Sequence, residues 1–263
     1  MIKRIFTLLI LVVLCVSALF SCGNVEDAST TNPPLIENPD NTTKDEKFEI
    51  SEKTYPYKNH GSLVLDVRNI TDKNCSVKVT VEFVKENGKT KTLTKTFEGL
   101  PASYNQSFFF YPRTAFKSYT YTVEYEEYEG ECLIQYVDMY SDSKFHTIRY
   151  PIGRNEDGSN IWGEALTWPL YMKNTYSSDL YYNCTYLIVD KNGNLFSFQT
   201  PGGCSLISQG CDGSGFDDVV IIDPDTGKII QGPKGEVVWP EEIKDGAKVI
   251  VIVNRVEKAR FSN

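Results

Sequence analysis

Val77, Val79, Val81 and Phe83 alternate with Ser76, Lys78, Thr80 and Glu82. A period of two places one set of side chains in a core and the other in water, which a strand satisfies and a helix does not. The parity returns at Tyr119, Tyr121, Val123 and Tyr125, with Thr120, Thr122 and Glu124 between them. Toward the end of the chain Val249, Val251 and Val253 repeat it around Ile250 and Ile252. Helical spacing is scarcely visible, and turn signals recur about every ten residues, as in antiparallel sandwiches.

The chain also repeats itself. "LDVRNITDKNCSVKVTVEFVKENGK" at 65–89 aligns without a gap on "LYMKNTYSSDLYYNCTYLIVDKNGN" at 170–194, an offset of 105 residues. Leu65 falls on Leu170, Asn69 on Asn174, Thr80 on Thr185 and Asn87-Gly88 on Asn192-Gly193. The shared plan is a strand, a polar link, a second strand and an Asn-Gly step. Asn-Gly between two alternating runs predicts a type I′ hairpin, in which both central residues take φ > 0. The reading is all-β: two tandem antiparallel sandwich modules, 47–131 and 132–263. Two unrelated strands sharing hairpin chemistry are the competing reading of the alignment. The second module is the longer, and eight of the 18 glycines lie between Gly202 and Gly235, so 201–238 is expected to be an inserted surface excursion.

A strand ending in "RN", then "VKVTVEF", an Asn-Gly hairpin and "GLPASYNQSFFF" resemble the FxLYD-type and other immunoglobulin-like modules of bacterial envelope lipoproteins. The resemblance implies immunoglobulin-like sandwiches serving as binding or spacer modules, and it carries over no catalytic residue.

The N-terminus reads Lys3-Arg4, then 16 residues from Ile5 to Phe20 with only Thr7 and Ser17 polar, then Ser21-Cys22-Gly23. A charged start, an apolar run and small residues at the cut make a secretory signal, and the run is short of the roughly 20 residues a spanning helix needs. Leu19-Phe20-Ser21-Cys22 resembles the bacterial lipobox, with Phe20 in place of the usual small residue. The resemblance implies a signal peptide at 1–21 and a lipid on Cys22. An ordinary cleaved signal and a retained anchor helix are the competing readings. Acyl chains contribute about 0.8 kcal/mol per buried CH₂, enough to hold a protein on a membrane without a spanning segment.

Residues 22–46, including "STTNPPLIENPDNTTKDE", are polar and proline-bearing, too poor in apolar surface to offset ordering entropy. They read as a disordered tether, about 27 Å end to end as a random coil. Past the signal the chain carries 25 Lys+Arg against 35 Asp+Glu. That acidic balance argues against nucleic acid as a partner, because phosphate backbones repel it.

Recognisable catalytic patterns are absent from the sequence. His60 and His146 have no histidine or cysteine beside them, and no nucleophile elbow, phosphate loop or paired CxxC occurs. Asp217-Asp218 and Glu241-Glu242 are adjacent, so on a strand their side chains point to opposite faces and make no glycosidase pair. Asp212, Asp217, Asp218, Asp223 and Asp225 lack the EF-hand ligand order. No metal or cofactor is implied. Trp162, Trp168 and Trp239 all stand beside Gly or Pro. Buried, they fill a small core; exposed, they form a candidate ligand face able to stack on sugar rings.

After Cys15 leaves with the signal and Cys22 takes lipid, Cys75, Cys132, Cys184, Cys204 and Cys211 remain. Cys204 and Cys211 share one glycine-rich loop and are the expected disulfide, worth roughly 2.5 kcal/mol in the chain-entropy model. Cys184 aligns with the inward Val79 and is expected as a buried thiol; Cys75 and Cys132 form a less supported pair. The sequence thus implies a non-catalytic, lipid-anchored envelope protein with a binding or structural role. A carbohydrate-binding surface lipoprotein and an unrecognised envelope enzyme are the alternatives.

Overall fold

The computed structural model describes residues 42–44, 46–57, 60–141, 146–167, 170–200, 204–206 and 246–259. Its strands are β1 (Thr42–Lys44), β2 (Phe48–Tyr57), β3 (His60–Asn69), β4 (Cys75–Val84), β5 (Thr90–Leu100), β6 (Asn105–Phe110), β7 (Ser118–Glu127) and β8 (Val137–Ser141). They continue as β9 (His146–Arg154), β10 (Asn160–Thr167), β11 (Leu170–Asn174), β12 (Leu180–Val189), β13 (Leu195–Gln199), β14 (Cys204–Leu206) and β15 (Lys248–Lys258). A 3₁₀ turn at Leu133–Tyr136 joins the halves, and every strand pairing is antiparallel. The protein is all-β. Among the described residues no helix is long and apolar enough to cross a membrane.

In the first half a sheet of order β1-β2-β3-β6 faces one of order β5-β4-β7. Their inward residues follow the sequence parity: Val77, Val79, Val81 and Phe83 of β4 are fully covered, against Leu63, Leu65 and Val67 of β3. Each such side chain contributes about 1.5–3 kcal/mol by leaving water, and truncating Phe83 to Ala would cost about 3–5 kcal/mol. One carboxylate breaks the apolar interior. Glu52 accepts hydrogen bonds from the Tyr119 hydroxyl at 2.6 Å and the Tyr121 hydroxyl at 3.0 Å. Buried carboxylates are tolerated only when bonded in this way.

The 105-residue offset is structural. β12 occupies 180–189 where β4 occupies 75–84, and each pairs with a following hairpin strand and with a late strand, β7 or β15. Tyr128 N–H bonds Asn74 O at 3.0 Å as Ala259 N–H bonds Asp179 O at 2.9 Å. Ile70 N–H bonds Lys47 O as Thr175 N–H bonds Tyr136 O, both at 2.9 Å.

The hairpin turns differ from the sequence expectation. Gly88 N–H donates to Lys85 O at 2.9 Å and Lys85 N–H to Lys89 O at 2.8 Å. Only the glycine has positive φ, +77° at Gly88 and +85° at Gly193. These are three-residue loops, a type I turn closed by a left-handed glycine, rather than type I′ turns. Asn155–Ser159, with Gly158 at +83°, forms the same loop a third time.

Two further departures concern element boundaries. Thr42–Lys44, within the expected tether, pair with Glu49–Ser51 as edge strand β1, because backbone pairing needs no apolar side chain. Between β8 and β11 the second half carries an additional hairpin, β9–β10, exposed over 153–162. The glycine-rich excursion is described only at Cys204–Leu206, a three-residue strand beside Leu180–Tyr182; 207–245 lie outside the described residues.

One apolar cluster runs from Phe48 and Leu65 through Val137 and Met172 to Tyr182, Tyr186 and Val253, so the halves share a core. A second cluster lies on the outer face of β3 and β6, where Val64 and Phe109 meet Leu187, Leu195 and Ile252. Consequently β12 is covered on both faces from Cys184 to Val189. Phe198 seals the join, its ring 5.0 Å from Phe109 and 4.8 Å from Tyr111.

Candidate functional site

Along β5 the inward set is Leu93, Lys95 and Phe97, so a lysine occupies a core register, opposite the fully buried Val79. Lys95 is half-buried, and burial alone holds its ammonium below the usual lysine range. Lys91, four residues earlier on the same face, donates to Pro112 O at 2.6 Å. No such acceptor and no carboxylate pairs with Lys95 among the described residues.

Lys95 opens into a cleft of about 270 Å³ between the halves. β5 and β6 supply Lys95, Thr96, Phe97, Gln106, Ser107 and Phe108, and the second half supplies Asn183, Thr200 and Asn254. Phe97 and Phe108 are buried walls, each 3% exposed. The Gln106 amide donates to Val253 O at 2.8 Å and to Ser107 O at 2.7 Å, fixing the two halves to each other.

The backbone explains why Asn254 faces this cleft. β4 and β7 pair without interruption, but β12 and β15 slip by one residue between Asn183 and Cys184. Asn183 pairs with Arg255 and Cys184 with Val253, which leaves Asn254 as the extra residue. A bulge re-aims the side chain it frees. Asn254 Nδ2 donates to Asn183 Oδ1 and to Thr185 Oγ1, both at 2.9 Å, and Thr185 shares a 2.9 Å hydroxyl contact with Thr200. The second half thus leaves the pattern of the first at the point where it lines the cleft.

A second polar groove lies on the outer face of β2, β3 and β6, with Glu49, Ser51, Asp66, Arg68, Ser103 and Asn105. Its charges are already engaged: Arg68 lies 3.6 Å from Glu49, and the Ser107 hydroxyl donates to Asp66. At the start of β4, Cys75 lies near Cys132, and both are buried thiols raised by burial, Cys75 to about 12 with Cys132 adding to the effect. No group of three or more His, Cys, Asp or Glu side chains among the described residues is arranged to hold a metal ion.

Of the residues singled out by sequence, Trp162 sits on β10 opposite Pro151 and is 50% exposed, beside the 40% exposed Ile161. Trp168 and Trp239, Cys22 and Cys211, and the aspartates from Asp212 to Asp225 lie outside the described residues. Cys204 is placed only by its backbone, opposite Tyr182. Cys184 is 1% exposed and stands where Val79 stands in the first half. His60 is half-buried, with its Nδ1 unpartnered among the described residues. The Lys95 cleft was not singled out, although one signal was present: a lysine sharing parity with Leu93 and Phe97. Nothing in the sequence pairs Asn183 with Asn254, 71 positions apart.

No family model matches the chain, and no curated protein matches it. Among solved structures it is similar to the N-terminal CBM22-1-CBM22-2 tandem domain from Paenibacillus barcinonensis Xyn10C, at 9% identity over 84% of this chain and 93% of that one. The TM-score is 0.14, a value at which the likeness carries no argument.

Proposed function

We propose that this chain is a non-catalytic, lipid-anchored protein of a bacterial cell envelope that works by binding a small polar ligand in the cleft between its two modules. The observation that carries the reading is the cleft itself: amides, a hydroxyl and one unpaired cation gathered from both halves, at a slip in the β12–β15 ladder that its counterpart β4–β7 lacks. Sites of this kind orient a ligand with a few polar groups against apolar walls, and about 270 Å³ lies just below the range of drug-sized pockets. The lipobox-like ending at Cys22, the polar stretch after it and the acidic composition support the envelope location and the absence of a nucleic-acid partner. Carbohydrate recognition is the narrower form of the same reading, with the exposed Trp162 a separate stacking surface for it.

Two measurements test this. Cys22→Ser should release the protein from the membrane fraction; a variant that stays membrane-bound and unprocessed contradicts lipid anchoring. A screen of the purified full chain against glycans and envelope extracts should return a ligand that binds unchanged and is lost on Asn254→Ala. Turnover abolished by changing one carboxylate would instead establish an enzyme.

A further inference from the structure

We propose that the Lys95 cleft takes a polyhydroxylated carboxylate, the chemistry of a sugar acid; the inference rests on the binding reading above and names its ligand class. Lys95 brings one positive charge into a half-buried site, and no carboxylate is among the described residues that line it. Desolvating a cation without a partner is costly, and a ligand carboxylate supplies the missing charge through a short charge-assisted hydrogen bond. Around it stand the Thr200 hydroxyl and the amides of Asn183, Asn254 and Gln106; Gln106 Nε2 and Asn254 Nδ2 already donate within the protein, which leaves the Gln106 and Asn254 amide oxygens as acceptors. Amide oxygens accept from sugar hydroxyls, and the Thr200 hydroxyl can both donate and accept. Phe97 and Phe108 give the cleft an apolar side for a ring face.

Other ligands fit less well on the same grounds. An amino acid brings an ammonium, and the lining offers it no anion. A phosphate carries up to two charges and is usually held by several cations or a row of backbone N–H groups, whereas this cleft holds one lysine. A neutral sugar can use the amide oxygens but leaves Lys95 half-buried and unpaired. The sugar acid reaches the site either free or as an end unit of an acidic polysaccharide.

Calorimetric titration of the full chain in detergent micelles separates these cases, using glucuronate and galacturonate, glucose as the ring without the carboxylate, acetate as the carboxylate without the ring, and a short oligogalacturonide. At least one acid sugar or the oligomer should bind at least tenfold tighter than glucose or acetate. Lys95→Met should remove that preference and Lys95→Arg should restore part of it. Monomer binding indicates the free acid; binding by the oligomer alone indicates a polymer end. The inference is overturned if no acid sugar or oligomer binds, if glucose or acetate binds equally well, or if Lys95→Met leaves affinity unchanged. A neutral ligand lost on Asn254→Ala but insensitive to Lys95→Met would overturn the ligand class while leaving the binding reading standing.

Discussion

Asn69 and Asn174 stand 105 positions apart and close their loops with the same pair of bonds. Asn69 Nδ2 donates to Lys73 O at 2.8 Å while its Oδ1 accepts from Thr71 N–H at 3.0 Å. Asn174 Nδ2 donates to Ser178 O at 3.0 Å while its Oδ1 accepts from Tyr176 N–H at 2.8 Å. Both side chains are buried, at 0% and 1% exposure, and each removal opens a strand link; at Asn69 it also leaves Leu100 O and Pro101 O without a buried donor. Asn69→Ala and Asn174→Ala should each cost about 1–3 kcal/mol. Urea denaturation of the two variants checks this; unchanged midpoints would show that the clamps do not hold the strand links.

The three-residue hairpins carry a second expectation. At Gly88 and Gly193 a Cβ would meet nothing within 4 Å, so alanine there costs only the left-handed backbone, about 1–2 kcal/mol. Asparagine, which tolerates that conformation, should cost less. Gly61 differs in mechanism: its added Cβ would lie 2.9 Å from a Phe116 ring carbon. Gly61→Ala should therefore be rescued by Phe116→Leu, while Gly88→Ala should not. Thermal unfolding of the single and double variants distinguishes strain from collision.

How far the sequence could be read follows from which forces are local. Alternation at Val77–Phe83 is local and located β4, and the spacing of Leu65, Asn69, Thr80 and Gly88 located their counterparts in the second half. The turn type was misread because Asn-Gly fits two loops, and only the partner register, Lys85 with Lys89, selects the longer one. The β9–β10 hairpin was missed because its strands, such as "HTIRYPIGR", lack a clean period of two. The Lys95 cleft escaped because its walls come from β5, β6, β12 and β15, brought together by tertiary packing alone.

Cys75 offers a pH-dependent test. Its thiol rises from the ordinary 9.0 to about 12, chiefly because burial disfavours the thiolate, with Cys132 adding to it. Below pH 9 both the folded and unfolded thiols keep their proton, and the full stabilisation is present. Between pH 9 and about 12 the unfolded chain loses the proton that the folded chain retains, so stability falls as pH rises. Cys75→Ser, with a less acidic hydroxyl, should flatten that slope. Since the thiolate is the reactive form, iodoacetamide at pH 8 should leave Cys75 unmodified in the folded protein and alkylate it after denaturation. Rapid native alkylation would contradict its burial.

Lys95 should lower stability in the absence of ligand, and the sign is opposite to that of Cys75. Burial depresses its folded value below 10.5, so the unfolded chain holds the proton more tightly than the folded chain does. Below the depressed folded value both states are charged, and folding bears the cost of desolvating an unpaired ammonium. As pH rises from the depressed folded value to 10.5 the folded lysine is the first to neutralise, and stability rises across that window. Among the described residues no other titratable side chain lines the cleft; Asp66 bonds Ser107 in the outer groove, and Lys91 is bound to Pro112 O. Lys95→Met should therefore unfold at a higher temperature than the wild type at pH 7, with the gap narrowing toward pH 10.5. Because Cys75 titrates identically in both proteins, the difference between them isolates Lys95. A stabilising substitution at a residue needed for binding is the expected trade between stability and function. A variant less stable than the wild type at pH 7 would show that the ammonium is already satisfied, and with it would fall the case for a charged ligand in the cleft.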